Sequence, residues 1–359
     1  MPVPRSSKDL GSLVARVLAG AWRAEPPSLE ISEAELNQSS PALLGCGAGA
    51  LAWAKVRRGA LCDSAVGRQL QEAYRLHSLQ SALHLKEIDY VVGALNRGGV
   101  DTGLVKGWAA ARLYYEMGLR PYGDLDLCFR PEQYRAAVQV ISELDPSRFN
   151  VDLHDGFSKL DSLSPDELFG RSRQIKTGNA TFNILSDEDH LRILCTHSLR
   201  HGLWRPLWLC DIAAAVESRG SDFDWQRCLG NGREADWVRC TIVLAHELLG
   251  ARIDDTPLQP RAGGLPRWLV SRVLKNWSRP YPLLYPPQSY TRPLATYLRN
   301  PRGLLRTLSV RWTDPIEASI RMNAPFNEVP RFPFQVCYAA LRLGRFVGAL
   351  PRSLGGIER

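Results

Sequence analysis

The chain has 359 residues, 45% hydrophobic and 23% charged, with a formal net charge of +8. That length implies two or three domains with sizeable cores, and the absence of any apolar run near 18 residues argues against a transmembrane helix. The eight cysteines are scattered with no C-x-x-C pair, as expected of buried cytosolic thiols and not of a disulfide framework or zinc site.

The first segment, MPVPRSSKDLGSLVARVLAGAW, has a weakly apolar stretch interrupted by Arg16 and no convincing cleavage site, so a cytoplasmic protein is expected. A helix is predicted over Leu10 to Trp22, followed by a break at Pro26-Pro27. Ser32 with Glu35 three residues later has the spacing of a capping box, and Ala48 to Val56 is small and apolar. Residues 64–97 form a long helical pattern ending at Gly98-Gly99, with Leu83, Ile88, Val91, Val92 and Leu95 as its apolar positions. No ligand role is read for His77 or His84.

Next comes the apolar run Gly103-Leu104-Val105, then Lys106-Gly107, opening a predicted helix from Trp108 to Met117. A glycine at a strand-to-helix turn lets a phosphate approach the backbone, and a helix N-terminus supplies oriented N–H groups. Lys106 is a candidate to neutralise that phosphate. Gly123 then turns the chain into the strand DLDLCF. Side chains alternate along a strand, so Asp124, Asp126 and Cys128 share one face while Leu125, Leu127 and Phe129 share the apolar one. Two carboxylates about 7 Å apart repel unless a cation, an arginine or a proton intervenes. A hard dication, Mg²⁺, is the natural occupant. Arg120, four residues earlier, is a candidate either to clamp a phosphate or to order the carboxylates.

A helix over Glu132 to Leu144 follows, with Pro131 in its first turn. Arg148 to His154 reads as another strand, with Val151 and Leu153 inward and Asp152 and His154 opposite. Asp152 supplies a third carboxylate, and His154 could hydrogen-bond an acceptor. Three acidic residues beside a phosphate-binding turn suit two-metal phosphoryl or nucleotidyl transfer. A polar stretch, Asp155 to Gly178, contains a short helix beginning near Asp161. Thr181 to Leu185 is a further predicted strand, and Ser186 caps a helix whose first turn holds Asp187, Glu188 and Asp189.

From residue 186 onward the pattern is mainly helical. His197 and His201 stand one turn apart, and Asp211 is placed on the next helix. The expected arrangement is a buried polar network, one histidine bonded to Asp211 beside Trp204 and Trp208. The last stretch is basic: residues 261–359 hold 16 Lys+Arg and four Asp+Glu, so the rest of the chain is net acidic. Its terminal segment, QVCYAALRLGRFVGALPRSLGG, is expected to pack on its own core with a solvated basic face, not to lie in a membrane. The prolines from 280 to 293 indicate an extended linker.

The combination KG-x-A-A, LRPYGDLDLCF, VDLH and DEDHLRILCTHSLRHGLWRPLWLCDIAAAVE resembles the uncharacterised nucleotidyltransferase family of the polymerase-β-like superfamily, over roughly Leu85 to Glu217. The resemblance implies an α+β fold. A polymerase-β-like core of a small mixed sheet with helices (79–185) would lie between an N-terminal helical region (1–78) and a C-terminal helical domain with the basic tail (186–359). It also implies NTP, ATP among them, as substrate. Asp124 and Asp126 would hold two Mg²⁺ ions and Asp152 would complete the set. The superfamily's usual Gly-Ser turn is replaced here by Lys106-Gly107 followed by Trp108, which leaves Lys106 and the Gly107 backbone to steady the triphosphate. A small molecule, glycan precursor or peptide is the expected acceptor. The alternatives are a toxin-like enzyme modifying tRNA, with nucleic acid bound through the basic C-terminal region, and a nucleotide-binding scaffold without turnover.

Overall fold

The computed structural model describes residues 7–144, 149–156, 163–258, 264–279 and 312–354. Helices α1 (Ser7–Leu18), α2 (Glu33–Gly45) and α3 (Gly49–Val56) lead the chain. The capping box of α2 is formed: Ser32 Oγ accepts from the Glu35 amide at 3.2 Å, and Glu35 Oε2 accepts from the Ser32 amide at 2.8 Å. Every residue of α3 is buried. The long helix α4 (Ala65–Arg97) is capped by Ser64 and ends at Gly98, as its pattern predicts. Ile88, Val91, Val92 and Leu95 are buried, but Leu83 is 50% exposed. Five residues before Ile88 it points roughly 140° away around the helix, at about 100° per residue.

The sheet comprises β1 (Gly103–Leu104), β2 (Leu125–Phe129), β3 (Val151–Asp155), β4 (Arg173–Thr177) and β5 (Ala180–Ile184), in the order β3-β2-β1-β5-β4. It is mixed: β2/β3 and β1/β5 are parallel, β1/β2 and β4/β5 antiparallel. Between the strands lie α5 (Gly107–Ala111), α6 (Tyr134–Glu143) and α7 (Pro165–Gly170). β4 escapes sequence reading because it is a polar edge strand with no buried position, leaving no apolar alternation to detect.

The helix expected from Trp108 to Met117 stops at Ala111. Tertiary bonds win over local propensity there. Glu116 accepts from Arg57 and Tyr74, Tyr114 reaches Asp211, and Gly118 takes φ 90 where a Cβ would meet the Ser78 backbone.

Each face of the sheet has its own cover. Leu125, Leu127 and Phe129 pack with Leu104, Phe182 and Ile184 against the buried face of α4 and Ala137 of α6. On the opposite face Cys128 packs with Val105, Leu168, Phe169 and Ile193. The strand alternation read from GDLDLCF is therefore present.

Helices α8 (Asp187–Arg200), α9 (Pro206–Glu217), α10 (Trp225–Leu229), α11 (Gly232–Leu249), α12 (Arg267–Trp277), α13 (Pro315–Arg321) and α14 (Phe332–Leu354) complete the described fold. One core joins both ends of the chain: Val14, Leu18, Leu43 and Leu51 pack with Leu209, Ile212, Leu244, Leu269 and Val273. At Gly11 the contact of α1 with α12 is so close that a Cβ would fall 2.0 Å from the Leu274 carbonyl oxygen. Residues of the expected segments 1–78 and 186–359 thus share one packed core.

Asp189 is not merely a first-turn carboxylate complementing the helix dipole. It is fully buried and held by Arg171 through two hydrogen bonds of 3.0 and 3.1 Å. The terminal helix departs from expectation too. From Phe332 to Gly344 no α14 side chain is buried, and Phe332 and Leu343 are 64% and 63% exposed. The Pro-rich run from 280 to 293 lies outside the described residues. No described helix is long and apolar enough to cross a membrane.

Candidate active site

The site begins with strand register. β2 and β3 pair in parallel with Asp126 opposite Asp152 and Cys128 opposite His154, which puts both carboxylates and the imidazole on one sheet face. The ring reaches back between the carboxylates: His154 Nε2 lies 3.1 Å from Asp126 Oδ1 and 3.2 Å from Asp152 Oδ2. Asp126 and His154 are buried, whereas the Asp152 side chain is 58% exposed. Lys106 completes the group, its Nζ 2.6 Å from the same Asp126 oxygen.

Lys106 reaches that position from an unusual backbone. Its φ of 53° with ψ −123° belongs to a region that favours glycine. Such a conformation costs on the order of 1–3 kcal/mol and persists only where the surroundings enforce it. Here the Val105 amide donates to the Asp126 carbonyl at 3.2 Å, and the Ala110 amide to the Lys106 carbonyl at 2.7 Å, bracketing the residue. Gly107 is buried, and a Cβ there would lie 3.4 Å from both the Asp124 carbonyl and Tyr122 Cβ. Gly123 is exposed with open space around it, and its carbonyl accepts from Asn150 Nδ2 at 2.8 Å.

Asp124 precedes β2 and is exposed. Its carboxyl is held above the usual range, first by partial desolvation and then by the charge of Asp126, with Lys106 pulling the other way. Among the described residues, the group that could hold a cation is Asp126, Asp152 and His154, whose ligand atoms all lie within 4.8 Å of one another. The expected third member was Asp124, with His154 reserved for an acceptor. Donor separations near 3 Å suit adjacent positions around an ion with bonds of roughly 2.0–2.2 Å, and two carboxylate oxygens with one imidazole form an ordinary donor set for a divalent metal. The sequence places Asp152 and His154 on one face, but the reach of the ring depends on the register.

Arg120 takes neither expected role. It is 6% exposed, and its Nε and Nη2 grip Asp211 at 3.1 and 2.8 Å. Burial opposes the charge on Arg120, but Asp211 more than compensates and raises its pKa. Tyr114 donates to Asp211 at 2.7 Å, so the carboxylate that was assigned to a histidine network is filled by Arg120 and Tyr114. His197 and His201 instead contact each other, with ring centroids 4.6 Å apart, and both contact Trp208.

A small mixed sheet backed by helices, with two carboxylates, an imidazole and a lysine converging on one face, defines a mixed α/β protein with a side-chain group that could hold a cation. The chain belongs to the uncharacterised nucleotidyltransferase family, whose model matches residues 47–250, more than half its length. That span begins just ahead of α3 and ends at the close of α11, enclosing the whole sheet. No curated protein and no solved structure matches the chain.

Proposed function

We propose that the chain is a metal-dependent nucleotidyltransferase with a polymerase-β-like core. It moves a nucleoside monophosphate from an NTP to a small molecule, glycan precursor or peptide. The observation that carries this reading is the Asp126/Asp152/His154 cluster, with Lys106 on Asp126, in a chain of a nucleotidyltransferase family. Mg²⁺ held by these residues, with Asp124 beside them for a second ion, would neutralise phosphate charge where it develops. The imidazole also makes the site hospitable to Mn²⁺.

The protein's own groups have distinct tasks. Lys106 offers an ammonium on a flexible stem, able to move from Asp126 to a triphosphate oxygen. Asp152 is the exposed carboxylate, and it accepts the proton of the acceptor hydroxyl. The acceptor oxygen bonds to the α-phosphorus, the bond to the bridging oxygen breaks, and pyrophosphate leaves. The test is incubation with each labelled NTP, Mg²⁺ or Mn²⁺, and fractionated cell extract as acceptor source. Wild type should transfer label, and Asp126→Asn and Asp152→Asn should each lose at least about a hundredfold, the general scale for removing a group of this kind. Equal transfer by wild type and Asp126→Asn would sink the assignment.

A further inference from the structure

Four aromatic rings gather where α8 turns into α9. His197 lies 5.3 Å from Trp208 by ring centroids, His201 5.5 Å and Trp204 5.2 Å, and each of the four side chains, though largely covered, keeps some exposed surface. The turn that assembles them is constrained. Gly202 and Leu203 both have left-handed backbones, φ 69 and 52. The glycine takes that conformation freely at the end of α8, but Leu203 needs external support to hold it. α12 supplies it: Asn276 Nδ2 donates to the Gly202 carbonyl at 3.0 Å and Trp277 Nε1 to the Leu203 carbonyl at 2.9 Å. The turn is thus pinned from outside, and the rings it carries keep some solvent exposure.

The rings lie within reach of the charge of Lys106, the lysine paired with Asp126. Asp211 stands three residues after Trp208, on the same side of α9, and its grip on Arg120 ties that helix to the loop leading into Asp124 and Asp126. Burial first, and then positive neighbours that include Lys106 and Arg200, keep both imidazoles uncharged; His201 is pushed down to about 4, with Arg321 contributing. Uncharged rings present π faces, and the cations around them are what a polyphosphate seeks.

We propose that Trp208, flanked by His197 and His201, is the platform on which the nucleobase of the NTP stacks, with the phosphates running toward Lys106 and Asp126. This rests on the nucleotidyltransferase reading and deepens it by locating the base. Base–aromatic stacking tolerates any base, so the platform supplies affinity more than choice among NTPs.

The experiment compares ATP with inorganic tripolyphosphate, which has the phosphates and no base, by calorimetry in the presence of Mn²⁺. Wild type should bind ATP at least about tenfold more tightly than tripolyphosphate. Trp208→Leu should lose most of that margin while tripolyphosphate affinity stays within about twofold, and Trp208→Phe should keep most of it. If Trp208→Leu fails to fold, His197→Leu and Trp208→Phe carry the comparison, with a partial loss expected in the first. The platform is refuted if wild type does not distinguish the two ligands, or if the variants weaken both equally. Failure of wild type to bind either ligand would instead overturn the nucleotidyltransferase reading on which the platform depends.

Discussion

At the scale of single residues, the site is organised by Asp126, a nearly inaccessible carboxylate that touches both an ammonium and an imidazole. His190 illustrates how burial sets titration. It is 4% exposed, its Nε2 has no partner among the described residues, and its pKa is pushed down to about 4, by burial first and then by Arg112. The unfolded chain takes up that proton near pH 6.5 whereas the folded one resists it down to about 4. Folding stability therefore falls as pH drops through this window and is fully retained above it; this one group contributes on the order of 3 kcal/mol. Melting temperature measured from pH 7 to 4 should decline less steeply in His190→Gln than in wild type, whatever the absolute value for the variant. Parallel curves would show that other groups carry the acid sensitivity.

Among elements, the decisive joint is the one between α9 and the loop before β2. Arg120 and Asp211 are 6% and 0% exposed in their side chains, so neither charge can turn to water if the other is removed. Breaking a buried pair on one side costs about 3–5 kcal/mol, whereas replacing both partners with apolar groups costs far less. Arg120→Met should lower stability by that amount in urea denaturation. Arg120→Met combined with Asp211→Leu should recover part of it, leaving the Tyr114 hydroxyl as the remaining orphan. Additive losses in the double variant would mean that the pair is not coupled. The same joint explains why the helix after Lys106 is short: Tyr114 and Glu116 are drawn into bonds with Asp211 of α9, Tyr74 of α4 and Arg57 just past α3, and the segment cannot also complete a helical ladder. Arg120 was readable as a phosphate clamp because Asp211, its actual partner, lies 91 residues further on.

Across the whole molecule, the N-terminal helices share one core with α9, α11 and α12. Val14, Val17, Leu18, Leu43 and Leu51 have no exposed surface and pack with residues from α9, α11 and α12. A chain beginning at residue 65 would expose that apolar surface, each lost side chain removing roughly 1.5–3 kcal/mol. It should show no cooperative thermal transition, and circular dichroism and dye binding would report it. A sharp transition would mean that the sheet and later helices form an independent unit. Two of the 16 basic residues in the C-terminal stretch are tied into the fold. Arg331 is buried, with its guanidinium bonded to the carbonyls of Pro325, Asn327 and Val329, and Arg272 is paired with Asp314 at 2.7 Å. Those charges build the fold and are not available to a nucleic-acid backbone.

What the sequence determined alone was whatever depends on neighbours along the chain. The Ser32/Glu35 box, the span of α4, the alternation that sends Leu125, Leu127 and Phe129 one way and Asp126 the other, and the pairing of Asp152 with His154 on one face are all local. Periodicity and hydrogen-bond reach over a few residues set them. The tertiary structure decided the rest. Strand register brought His154 between two carboxylates and left Asp124 at the rim. A partner 91 residues away claimed Arg120, and packing between the two ends of the chain merged regions that composition kept apart. Contacts of that kind arise from shape and burial among distant segments, which no local pattern encodes.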